Sequence, residues 1–116
     1  MRTTAKLFSV AAPGVLFLAL AGCGGSSAHA PTENYVLVAD NIKLPYWQAA
    51  AAGIKQAAAD LGVKYEVAGS ETHDAAAERK EFQRILNRQP KPTGIMVSAA
   101  DAELLKADID AAIGQG

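Results

Sequence analysis

The chain has 116 residues, with 11 basic and 12 acidic side chains, one cysteine, two histidines and a formal net charge of −1. Its lysines and arginines are scattered among acids, so they form no basic patch of the kind that nucleic-acid binding requires. A lone cysteine cannot close an intrachain disulfide, and Cys23 with His29 and His73 has no zinc-ligand spacing, which sets redox and zinc chemistry aside.

The N-terminus comes first. Arg2 and Lys6 make a basic segment, Leu7 to Ala21 an apolar one rich in Leu, Val, Phe and Ala, and Ala21-Gly22 supply small residues before Cys23. That order is the order of a secretory signal peptide. A membrane-spanning helix needs about 20 apolar residues, whereas this run is shorter, broken by Pro13-Gly14 and followed by Gly22, Gly24 and Gly25. Leu20-Ala21-Gly22-Cys23 resembles the lipobox of bacterial lipoprotein signal peptides. The resemblance implies cleavage before Cys23 and lipidation of that residue, where each buried CH₂ contributes ~0.8 kcal/mol and more than one acyl chain makes a stable anchor. Residues 1–22 are therefore expected to be a lipoprotein signal peptide and residues 23–33 a flexible linker, with the folded part at residues 34–116. The linker run GGSSAHAPT is small and polar, cannot build a core, and leaves His29 solvated. Without Arg2 and Lys6 the mature chain is mildly acidic, and its size allows one domain at most.

Tyr35 to Ala39 (YVLVA) is a continuous apolar run that suits a strand covered on both faces. After a polar loop from Asp40 to Leu44, Pro45 stands where a first helical residue is favoured, since its missing N–H costs nothing there. Trp47, Ala50, Ala51, Ile54, Ala58 and Leu61 follow at helical spacing, and Gly62 reads as a left-handed cap. Val63, Tyr65 and Val67 alternate with Lys64 and Glu66, the pattern of an edge strand with one face in water.

A loop from Gly69 to His73 leads to Asp74, which can cap a helix running to Arg88 with Ala75, Phe82, Ile85 and Leu86 as its apolar members. The early acids Glu78 and Glu81 and the late Arg84 and Arg88 suit the helix dipole. Pro90-Lys91-Pro92 stops that helix, and GIMV at 94–97 reads as a central strand. A last helix has Leu105, Ile109, Ala112 and Ile113 on one face and Glu103, Lys106 and Asp110 on another; either Ser98 or Asp101 caps it.

The order β-α-β-α-β-α implies an α/β fold with a parallel sheet and right-handed crossovers. With the second strand at an edge and the first and third central, the spatial order is 2-1-3. Open parallel sheets bind ligands at the carboxyl ends of strands beside such a reversal. The segments there are Asp40 to Trp47 and Ser98 to Asp101. An apolar third strand asks for a neighbour, so the sequence is expected to be the first part of a larger α/β protein.

Catalytic and phosphate-cradling signatures are absent: there is no GxxxxGK[ST], no GxGxxG after the first strand and no GxSxG around Ser98. Asp101 and Glu103 stand at a helix start, where acids serve as caps. The chain thus reads as a non-enzyme without a cofactor. The loop DNIKLPYW at 40–47 is more informative, because it places an amide, two charges and two adjacent aromatics at the binding end of the first strand. Sugars present apolar C–H faces that stack on rings, and hydroxyl rims that need fixed polar partners. Two readings of Tyr46 and Trp47 stay open: core aromatics at a helix start, or cleft residues. Neighbouring helical side chains diverge by about 100°, so the pair can also divide between the two.

Three segments carry a resemblance: YVLVADNIKLPYWQAAAAGIKQAAADLGVKYEV, GSETHDAAAERKEFQRIL and KPTGIMVSAADAELLKADIDAAIGQG. They resemble the N-terminal lobe of periplasmic sugar-binding proteins of the ribose-binding type, the solute receptors of ABC transporters. The specific parts are the Pro-aromatic-aromatic opening of the first helix, Asp74, the Gly-Ile-Met-Val-Ser strand and the Ala-Ile-Gly-Gln-Gly exit. The resemblance implies two lobes closing on a sugar, of which residues 34–116 form part of the first. It implies Tyr46 and Trp47 as stacking platforms, with Asn41 and Lys43 as polar ligand contacts. Leu44 stands where ribose-type members carry a sugar-contacting asparagine, a departure that points away from ribose itself. Implied partners are a sugar, a membrane permease and, through Cys23, the membrane, with a monomeric full-length protein on the outer side of the cytoplasmic membrane. The resemblance leaves two other roles: a sugar or autoinducer receptor module for a sensor kinase or chemoreceptor, and a truncated remnant that binds nothing.

Overall fold

A computed structural model describes residues 28–115, so the expected signal peptide and Cys23 lie outside the described residues. The elements are β1 (Asn34–Ala39), α1 (Pro45–Leu61), β2 (Lys64–Gly69), α2 (Ala75–Asn87), β3 (Gly94–Val97) and α3 (Ala102–Ile113). β1 lies between parallel neighbours, giving the order β2-β1-β3 that the sequence implies. Register aligns Val36 with Glu66 and Ile95, and Val38 with Ala68 and Val97, in rows across the sheet.

Because strand side chains alternate, those two rows face one side. There Val36, Val38 and Ala68 meet Phe82 and Ile85 of α2 and Leu105 of α3 in a closed core. The rows of Tyr35, Leu37 and Ala39 face α1, of which Ala58 is the one buried residue. The helix boundaries follow local chemistry. Pro45 opens α1, and Gly62 closes it at φ 68°, donating its N–H to the carbonyls of Ala58 and Ala59. Asp74 accepts from the N–H groups of Ala76 and Ala77 at 2.9 and 3.0 Å. At α3 the two expected caps are resolved in favour of Asp101, which accepts from the Leu104 N–H at 3.0 Å.

Four expectations change. Glu66 faces α2 rather than water, held by Arg88 at 2.5 Å and Arg84 at 3.6 Å, because parallel crossovers place helices on both faces of even the outer strand. β3, whose apolar run suits cover on both faces, is covered on one: Ile95 and Val97 pack under α2 and α3, while Met96 on the α1 side is 47% exposed. Ile113, the last residue of α3, leaves the stripe and is 74% exposed. His29 is half-buried, paired with Glu33 at 2.8 Å and set edge-on against the Tyr35 ring.

Candidate functional site

Three loops leave the carboxyl ends of the strands, and backbone geometry binds them into one surface. Gly69 ends β2 at φ +139°, where a Cβ would lie 1.9 Å from the Ala39 carbonyl oxygen, so only glycine allows β2 to run this close to β1. Ser70 then donates its N–H to the Ala39 carbonyl at 3.2 Å and accepts from the Ile42 N–H at 2.9 Å. On the other side, the Asp40 N–H donates to the Ser98 hydroxyl at 2.8 Å and the Ser98 N–H to the Val38 carbonyl at 3.0 Å. Segments 40–47 and 98–101, singled out by topology, therefore do meet.

The β1–α1 loop is a local turn. The Asn41 side-chain oxygen accepts from the Lys43 N–H at 3.0 Å, an Asx turn that fixes the Asn41 side chain. Lys43 reaches across to Glu71 of the β2–α2 loop at 3.3 Å, with both side chains largely in solvent, so this ion pair orients more than it stabilises. α1 then opens without a side-chain cap and with no acid in its first turn. Tyr46 projects into solvent, 73% exposed, whereas Trp47 is half-buried. Their rings meet edge-to-face, with centroids 4.9 Å apart at 85°. Trp47 is thus the more covered of the two, and Tyr46 stands edge-to-face against it as an exposed ring.

Sequence reasoning missed the polar groups beneath this surface. Glu78, assigned to the helix dipole, is fully buried. One of its oxygens accepts from the Ser98 hydroxyl, and the other from the Ala100 N–H at 2.9 Å. α2 thereby holds the β3–α3 loop, in which Ala99 adopts φ +50°. Asp40 is 7% exposed and its Oδ2 pairs with His73 Nδ1, while its Oδ1 is buried with no hydrogen-bond partner among the described residues. A signal for Glu78 was available: it lies four residues before Phe82 and seven before Ile85, on the buried stripe of α2. Asp40 carried no such signal beyond following an apolar strand directly.

The fold, the strand order and the joined loops at the carboxyl edge agree with a family comparison: a family model described as the periplasmic binding protein domain matches residues 35–116. The chain belongs to this family. Neither curated proteins nor solved structures gave a match. Periplasmic binding protein domains are solute-binding modules and not, in general, enzymes; they take small-molecule ligands in the periplasm or outside the cell, typically with an ABC permease as partner. In this periplasmic binding protein domain the reversal of strand order between β1 and β3 lies at the edge where open parallel sheets place their ligands.

Proposed function

We propose that this domain supplies one wall of a carbohydrate-binding cleft in a receptor that serves an ABC permease. The observation that carries the reading is the Tyr46–Trp47 pair, an exposed ring buttressed edge-to-face at the start of α1, on the carboxyl edge of the sheet. A phenol ring held that way offers a flat apolar face for a sugar's C–H surface without losing much rotamer entropy on binding. Asn41 and Lys43 on the same loop supply the amide and ammonium that hydroxyls need. Lipidation of Cys23, which lies outside the described residues, would hold the domain at the outer face of the membrane and raise its effective concentration beside the permease.

Trp47 is the only tryptophan of the chain, so its fluorescence reports on the site directly. Titration of the purified mature chain with a panel of pentoses, hexoses, polyols and amino acids should give a saturable change with a sugar and none with amino acids. Tyr46→Ala should abolish the change while leaving the far-ultraviolet circular dichroism intact. A saturable response to an amino acid alone, or no response to any sugar up to tens of millimolar, overturns the reading.

A further inference from the structure

We infer that His73 is a ligand-contact residue of this site and Asp40 its positioning residue, so that the β2–α2 loop reads a hydroxyl group of the bound solute; this rests on the carbohydrate reading above. The argument begins with Asp40. Its backbone is pinned by the Ser98 hydroxyl at 2.8 Å, its side chain is almost wholly covered, and its Oδ1 has no partner among the described residues. The one group that answers its carboxylate there is the His73 ring, through Nδ1 and Oδ2.

A carboxylate only accepts, so the nitrogen facing it carries the proton and the other nitrogen is set free. Holding one imidazole nitrogen on a carboxylate is how proteins fix the tautomer and direction of the ring. The free nitrogen here is Nε2, on a side chain that is 80% exposed. An exposed histidine with no partner would sample many rotamers. This one is tethered to a buried anchor at the end of the central strand, on a loop that one hydrogen bond, from the Ile42 N–H to the Ser70 carbonyl, and the Lys43–Glu71 ion pair tie to the Asn41–Lys43 turn. In the neutral ring Nε2 is an acceptor, and its complement is a solute O–H donor. The aromatic pair therefore reads the apolar face of the ligand, and His73 reads one hydroxyl at its rim.

The test uses the mature chain uniformly labelled with nitrogen-15. At a pH where the ring is neutral, imidazole spectra of the free protein should show His73 protonated at Nδ1 with Nε2 unprotonated, and Asp40→Asn should disperse that signal between tautomers. Addition of the sugar selected by the Trp47 titration should shift Nε2 of His73 and not the ring nitrogens of His29. His73→Ala should weaken that sugar by roughly tenfold, the size of one neutral hydrogen bond. One monodeoxy analogue should bind the original chain roughly tenfold more weakly yet bind His73→Ala as well as the parent sugar does. If a sugar binds but His73→Ala changes neither affinity nor discrimination among deoxy analogues, this inference fails and the carbohydrate reading stands. If no sugar of the panel binds, both fail together.

Discussion

The two faces of the sheet are built from different materials. On one, α2 and α3 press Phe82, Ile85 and Leu105 onto Val36 and Val38, and all five side chains are lost to solvent. On the other, α1 presents a surface of alanines; Ala58 is its one buried residue, and Leu61, Tyr65 and Met96 remain 40–47% exposed. At about 25 cal/mol per Å² of apolar area removed from water, large side chains fully covered outweigh small ones half covered. The α2/α3 face therefore carries the stability of the domain. The α1 side carries the recognition surface proposed above, since Tyr46 and Trp47 stand in the first turn of α1 at the open edge.

Paired truncations test this asymmetry most directly. Phe82→Ala should cost about 3–5 kcal/mol in denaturant unfolding, and Ile54→Ala on the facing side of α1 less than half as much, because the first opens a cavity in a closed core and the second trims a half-exposed side chain. Equal losses would show that the alanine helix is as tightly packed as α2 and would dissolve the comparison. Next in size is Glu78→Ala, expected to cost about 1–3 kcal/mol by removing a fully buried carboxylate and leaving the Ser98 hydroxyl and the Ala100 N–H without their acceptor. Glu78→Gln keeps one acceptor oxygen and should fall between the two. Amide hydrogen exchange at Ala100 should rise in both variants.

The same asymmetry explains what was legible in the sequence. Helices, strands and their order follow from apolar spacing and from Pro45, Gly62, Asp74 and Asp101, because caps and periodicity are local physics. The strand order followed too, since the alternating β2 and the apolar β1 differ in composition. The buried polar network did not. Glu78 reads equally as an acid in a first helical turn and as a member of a buried stripe; only the distant Ser98 and Ala100 decide between them. Asp40 finds its partner His73 in another loop, 33 positions away. The exposure of Met96 was not legible, because an apolar strand looks the same whether one or both of its faces are covered.

Acid sensitivity separates the faces by a smaller effect. Arg79 at 2.6 Å, with Gln83 at 3.0 Å, holds the Asp108 carboxyl below its ordinary range and ties α2 to α3. A depressed folded-state value means that the link contributes fully above the ordinary carboxylate range and is lost as pH falls through the depressed value. Stability should therefore drop on acidification through that window. Asp108→Asn should flatten the drop while lowering stability near neutrality. Glu33 is depressed as well, by the Ala30 N–H, then His29 and Tyr35, but these contacts tie down only the segment entering β1. Glu33→Gln should leave the global midpoint nearly unchanged and raise exchange only around residues 29–35.

The smallest stability effect is expected where the comparison makes its functional claim. Tyr46→Ala removes a ring that is mostly in solvent and meets the Trp47 ring edge-to-face, so the unfolding free energy should change by no more than about 0.5 kcal/mol, as at other surface sites. Loss of the edge-to-face partner should still shift the Trp47 emission, because that ring then meets water where it met the phenol. A large destabilisation by Tyr46→Ala would mean that the ring is part of the α1 packing after all. A silent midpoint with a changed emission keeps Tyr46 free of structural duty, the condition under which an exposed aromatic at this edge is retained for what it touches outside the protein.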